Sequence, residues 1–396
     1  MAEKATNALL PAGLRDVLPP EAAHEARVVE ALLAQFAAHG YERVRPPLVE
    51  FEESLLAGSG AAMGGQTFRL MDPVSQRMMG VRADITLQIA RIAATRLAGA
   101  PRPLRLSYAG EVLRVRGSQL VPERQLCQVG VELIGAASAE ADAEVISMAA
   151  EALGAFGVNN LSVDLTSPRL VPALVSALGM DKDGGAEDLR DALDHKDAAR
   201  VAAATGPHAK LFGALLAAAG PADQALAALQ KLDLPRPVKA EANHLSEVVR
   251  LVRAEMPVLD LTVDPVENRG FEYHTGVSFS LFVPGVRGEL GRGGRYVAGA
   301  PFARRAKGAG ETVGAGEPAT GFTLAMETVL EALPDPEPAR RLFVPMGTPP
   351  ETARRLRIDG WAVVAGLASV QDAKREAIRV GCAHALVDGK IVATAK

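Results

Sequence analysis

Two apolar segments, 104–116 and 124–135, read as strands joined by a loop, and both carry charged or amide side chains among residues that belong in a core. The returning segment runs Arg124-Gln125-Leu126-Cys127-Gln128-Val129-Gly130-Val131-Glu132. Gln128 and Glu132 are four positions apart, so a strand places both on one face. Glu132 stands between Val131 and Leu133, where it is either an ion-paired core residue or part of a polar pocket. The outgoing segment ends Gly110-Glu111-Val112-Leu113-Arg114-Val115-Arg116. Arg114 by itself reads as a surface arginine on an edge strand. With Gln128 and Glu132 on the paired strand it reads as a guanidinium aimed into a cleft, able to hold a carboxylate or phosphate bidentately.

At 396 residues, 48% apolar and only 4% aromatic, the chain has material for two or three domains built on Ala- and Leu-rich helices. No apolar run is long enough to span a bilayer, and the N-terminal residues lack the apolar core of a secretory signal. Two cysteines, Cys127 and Cys382, stand far apart without metal-ligand spacing, so a reduced cytoplasmic protein with no metal is expected. A net charge of -4 removes the electrostatic argument for a nucleic-acid partner without excluding one. Arg340, Arg341, Arg354, Arg355 and Arg357 read as solvated faces rather than a backbone clamp.

Along the chain, apolar spacing at Val29, Leu32, Leu33 and Phe36 predicts a helix over 21–40 stopped by Gly40, followed by a strand over 41–50 that ends in prolines. Thr67 to Met79 reads as a hairpin about Met71-Asp72-Pro73, leading to a helix from Leu87 to Leu97. Helical patterns follow over 139–156 and, broken by Gly and Pro, over about 168–258, where an inserted helical subdomain is expected. Alternation returns from Leu259. Residues 304–320 are Gly-rich and charged and read as a mobile loop, and 321–333 as a strand entering a helix. A Pro-rich linker at 334–338 separates a small parallel α/β unit over 339–396.

Several segments, in order, resemble the class II aminoacyl-tRNA synthetases in their histidyl form. Residues 21–50 resemble motif 1, which in that family builds the dimer interface, and 110–132 resemble motif 2. Arg82-Ala83-Asp84-Ile85-Thr86 is similar to the family's Arg-Pro-Glu-x-Thr segment, which grips the α-amino group; its bland reading is an N-cap for the helix that follows. Glu267-Asn268-Arg269-Gly270-Phe271-Glu272-Tyr273-His274-Thr275-Gly276 resembles the histidyl signature Arg-Gly-Leu-Asp-Tyr-Tyr-Thr-Gly, with His274 for the second tyrosine. Gly293-Gly294-Arg295-Tyr296 resembles its partner signature. The resemblance implies an α+β fold on an antiparallel sheet with flanking helices over 1–333, and a shortened anticodon-binding domain behind it. It also implies a histidine pocket. Asp84, Thr86 and Gln128 would hold the amino group, Arg114 and Arg269 would serve the acidic side, and Glu132, Tyr273 and His274 the ring, with Tyr296 also in the set.

The nucleotide side departs from the pattern. Arg116 replaces the glutamate of Phe-Arg-x-Glu, and Gly321-Phe322-Thr323-Leu324-Ala325-Met326-Glu327-Thr328 ends on Thr328 where motif 3 has an arginine for the γ-phosphate. This combination is similar to the synthetase paralogues that serve as regulatory subunits of ATP phosphoribosyltransferase. That resemblance implies a non-catalytic chain without cofactor, a homodimer within a hetero-oligomer, paired with a short-form catalytic subunit for the first step of histidine biosynthesis. Free histidine would be the inhibitory ligand, and neither nucleic acid nor membrane a partner. The rival is a divergent histidyl-tRNA synthetase; a third reading, a scaffold that binds no ligand, leaves Gln128, Glu132 and Arg269 unexplained.

Overall fold

The expected hairpin forms: Leu104–Leu113 pairs antiparallel with Gln125–Ile134 along its whole length, Leu106 opposite Glu132 and Tyr108 opposite Gly130. The computed structural model of the chain describes residues 10–57, 63–117, 121–180, 186–267, 274–299, 316–335 and 338–394. Among these, the hairpin lies within a nine-stranded sheet. In spatial order its strands are Glu42–Arg43, Leu104–Leu113, Gln125–Ile134, Glu317–Ala325, Gly291–Ala298, Ser278–Phe282, Ser162–Thr166, Asp260–Val263 and Gly220–Pro221. Neighbours are antiparallel except Glu42–Arg43 against Leu104–Leu113 and Ser162–Thr166 against Asp260–Val263, which run parallel.

One face of the sheet packs on the helices Glu21–Ala38 and Ala139–Ala155, with Leu32, Phe36, Val129, Val131, Ile146 and Phe322 fully buried together. Phe36 meets the Phe322 ring edge-on at 5.6 Å. The other face, toward the helix Thr86–Thr95, packs Ile85, Ile89, Leu106 and Tyr108 and leaves the polar row of the hairpin facing inward. The segment 168–258 forms helices Leu170–Ala177, Ala186–Asp194, Ala198–Thr205, Ala209–Ala217, Ala222–Gln230 and Arg236–Glu255. Their apolar faces, through Leu174, Phe212, Leu245 and Val252, enter the same core as the sheet, and Gly220–Pro221 extends its edge.

Two expectations need correction here. The strand over 41–50 is only Glu42–Arg43 and Val49–Phe51, because Pro46 and Pro47 have no N–H to give a ladder. Val49–Phe51 leaves the main sheet and joins the hairpin Arg69–Met71 and Met78–Val81 in a three-stranded sheet. Residues 304–315 lie outside the described residues, but 317–320, placed in the loop by composition, start the central strand Glu317–Ala325. Pro318 stands near the start of that strand, where its missing N–H is tolerated.

The chain divides into two compact units, Met1–Pro334 and Asp335–Lys396. In the second, strands Ala362–Ala365, Arg341–Val344 and His384–Val387 run parallel, with helices Pro350–Ile358 and Ala373–Arg379 between them. Lys390–Ala393 is antiparallel to its neighbour, so the unit is not purely parallel. Asp388 and Gly389, both at positive φ, form the two-residue turn that such a hairpin favours.

Candidate functional site

The inward row of the hairpin converges on a pocket whose lining includes Thr86, Glu132, His274, Gly293, Tyr296 and Thr323. Glu132 is buried, at 1% exposure. Tyr296 donates its hydroxyl to Glu132 Oε2 at 2.9 Å, and Tyr108 reaches Oε1 at 3.4 Å. Burial pushes the Glu132 carboxyl up to about 8, against the hydrogen bonds from Thr86, Tyr296 and Tyr108 that favour the ion. The neighbouring Asp84 carboxylate adds to the rise. The result is an acid whose charge is poorly matched by its fixed surroundings. A ligand bringing a cation or N–H donors is the natural complement.

Backbone spacing makes room for this carboxylate. A Cβ on Gly321 would stand 2.1 Å from Glu132 Oε2, and one on Gly130 would meet the Tyr108 hydroxyl at 2.6 Å. The glycine that opens the motif 3 segment is thus required by the acid on the adjacent strand, whose Cα register pairs Gly321 with Glu132. Tyr108 is fully buried, its hydroxyl 2.7 Å from Thr323 Oγ1 and 3.2 Å from Thr86 Oγ1, and burial raises its pKa well above the ordinary phenol range.

Asp84 and Gln128 form a second polar element. Asp84 Oδ1 accepts from the Thr86 N–H at 2.9 Å in the turn just ahead of the helix, whose N-cap is Ile85 rather than Asp84, while Gln128 Nε2 donates to Asp84 Oδ2 at 3.0 Å. Gln128 Oε1, assigned from sequence to an ammonium group, instead accepts from the Ile85 N–H at 3.0 Å. Gln128 therefore clamps the 84–86 turn. Arg114 lies just beyond the strand end, half-buried, with Nε 3.4 Å from the Ala83 carbonyl, beside the turn rather than among the pocket-lining residues. Arg269 and Tyr273 lie outside the described residues.

Sequence reasoning missed Tyr108 and Thr323. The register carried a signal, since Tyr108 shares the inward face with Gln128 and Glu132 and stands opposite a glycine. On the nucleotide side, Thr328 is buried and donates to the Glu289 and Ala325 carbonyls at 2.9 and 3.1 Å, while Arg116 is exposed. Glu25, Glu111 and Cys127 bring ligand atoms within 4.8 Å of one another behind the hairpin. Burial first, and Glu111 next, hold the Cys127 thiol far above its usual range, so without a cation beside it the thiol stays protonated.

Comparison with known proteins agrees with this geometry. The family model described as Histidyl-tRNA synthetase matches residues 13–329. A relative from Paramagnetospirillum magneticum, named ATP phosphoribosyltransferase regulatory subunit, is 58% identical over 99% of this chain and 99% of its own length. Another of that name, from Rhodospirillum centenum, is 56% identical over 97% of this chain and 96% of its own length. A solved structure from Bacillus halodurans, described as an ATP phosphoribosyltransferase regulatory subunit/histidyl-tRNA synthetase, superposes with a TM-score of 0.80. It is 24% identical and covers 95% of this chain and 97% of its own, which bears out the α+β class II fold. This chain therefore belongs to the family of ATP phosphoribosyltransferase regulatory subunits, regulatory chains built on the fold of histidyl-tRNA synthetase.

Proposed function

We propose that this chain pairs with a short-form ATP phosphoribosyltransferase catalytic subunit, supports its activity, and carries the site through which free histidine inhibits the complex. The observation that supports this most is the Glu132 carboxylate, buried on hydroxyl donors in a pocket lined by Thr86, His274 and Tyr296. An imidazole offers the N–H that such an acid needs. Asp84, steered by Gln128, supplies a carboxylate for the α-ammonium, and Arg114 with Arg269 and Tyr273 completes the proposed set.

The chain itself forms no aminoacyl-adenylate in this reading. The position that meets the γ-phosphate in the synthetases is occupied by Thr328, whose hydroxyl is spent on two carbonyls. The chain works in the cytoplasm without cofactor, metal, nucleic acid or membrane. It forms a homodimer through residues 21–50, within a hetero-oligomer; 1–333 is the synthetase-like domain and 339–396 a shortened relative of the anticodon-binding domain. Among the described residues no helix is long and apolar enough to cross a membrane.

Reconstitution tests this. Adding the chain to a short catalytic subunit should form a stable complex in sedimentation and raise its rate of phosphoribosyl-ATP formation. No association and no change of rate would refute the proposal, and histidine-dependent exchange of pyrophosphate into ATP by the chain alone would favour the synthetase reading.

A further inference from the structure

Tyr296 and Arg295 are neighbours in the strand Gly291–Ala298 and leave it on opposite faces. Tyr296 goes to Glu132 in the pocket. Arg295, 7% exposed, goes to the helix Ala139–Ala155, where its Nε donates to Asp142 Oδ2 at 3.0 Å and its Nη2 lies 2.9 Å from Oδ1. Its Nη1 also donates to the Ala136 carbonyl at 2.7 Å and its Nη2 to the Ser138 carbonyl at 2.9 Å. Asp142, 2% exposed, holds a second partner on the same Oδ2: His244 Nε2 at 2.9 Å, from the helix Arg236–Glu255 of the helical insertion. Those two helices pack against each other.

The strand is poorly able to absorb a shift between its two faces. A Cβ on Gly293 would stand 2.3 Å from the Gly321 carbonyl, and one on Gly276, the last residue of the first signature, would stand 2.9 Å from Arg295 Cδ. The Thr275 N–H donates to the Arg295 carbonyl at 2.7 Å, tying the segment that carries His274 to the same residue. The arginine of the Gly-Gly-Arg-Tyr signature is thus committed to Asp142 rather than to the pocket. Buried ion pairs of this kind are weak sources of stability, but moving one partner strands the other's charge.

We propose that Asp142 is the junction that couples the ligand pocket to the helical insertion, with Arg295 and His244 as positioning residues. A ligand that engages Glu132 displaces the Tyr296 hydroxyl or tightens it. The strand transmits that change to Arg295, and the shared Asp142 oxygen passes it to His244 and the helix Arg236–Glu255. The coupling is reciprocal, so a change that frees His244 alters the pocket's affinity. This rests on the Proposed function only for the identity of the ligand; the mechanical link is independent of it.

Hydrogen exchange of the full chain tests the junction. Histidine should slow amide exchange in the helix Arg236–Glu255 of the natural protein. His244→Leu, which removes the donor to Asp142 from a partly exposed position, should abolish that response and weaken histidine binding roughly fivefold. His244→Gln, whose amide nitrogen can take the place of Nε2, should restore both. Tyr296→Phe without ligand should alter exchange in the same helix, and this effect should vanish in the His244→Leu background. A histidine response of equal size in His244→Leu would overturn the junction, as would additive effects of Tyr296→Phe and His244→Leu. If calorimetry detects no histidine binding, the ligand assignment fails, and the two ligand-free variants alone decide whether the junction stands.

Discussion

Gly321 and Glu132 face each other in register on adjacent strands, so closely that a methyl group on the glycine would stand 2.1 Å from the carboxylate oxygen Oε2. The acid at the centre of the pocket thus fits because its neighbour has no side chain. Gly321→Ala should displace the carboxylate from Tyr296 and narrow the pocket. The expected cost is about 1–3 kcal/mol of stability from overpacking, with loss of measurable histidine binding. Denaturant melts and calorimetry on the variant check both; unchanged histidine affinity would show that Glu132 does not need its present position.

Glu132 also sets a pH dependence. Its folded-state pKa, about 8, lies above its unfolded value of 4.5, so the folded protein holds a proton that the unfolded chain has lost. Stability from this group is complete below pH 4.5 and falls as pH rises to about 8, by roughly 1.4 kcal/mol per unit across the window. Glu132→Gln keeps the shape and removes the titration. Its melting temperature should approach or pass that of the natural protein as pH rises from 5 to 9, and a constant difference across that range would contradict the assignment.

How much of this was legible in the sequence depended on spacing. Gln128 and Glu132 were placed on one face by period alone, and the hairpin register bore that out. Tyr108 escaped because an alternating apolar strand gives no sign that one tyrosine is aimed at an acid two strand positions along on the neighbouring strand. Gln128 was found, but its oxygen was assigned outward; the Ile85 N–H that claims it belongs to a turn whose backbone direction no local pattern reveals. Residues 317–320 looked like loop because Gly316 and Pro318 flank Glu317, yet the tertiary partners on both sides impose a strand. The outer strand Gly220–Pro221, two residues long, is below what periodicity can show.

The lost synthetase arginine should not be restorable by one substitution. Thr328 is 6% exposed and bonded to the Glu289 carbonyl, so Thr328→Arg has to bury a guanidinium or expel its helix from the sheet. The variant should lose stability by more than about 2 kcal/mol and show no histidine-dependent pyrophosphate exchange. Thermal melts with the exchange assay decide; a stable variant that gains exchange would mean that the nucleotide site is intact apart from this residue.

The most direct measurement is phosphoribosyl-ATP formation by the reconstituted complex across a histidine titration, with the natural chain and with Glu132→Gln. Glu132→Gln removes the acid that gives up its proton to pair with a bound cation or imidazole, and should weaken histidine binding by about 2–4 kcal/mol, well over tenfold. The account predicts inhibition with the natural chain, a titration midpoint moved up by more than tenfold with Glu132→Gln, and equal assembly and uninhibited rate for both. Identical inhibition by histidine in the two complexes would place the regulatory site elsewhere and contradict the central claim.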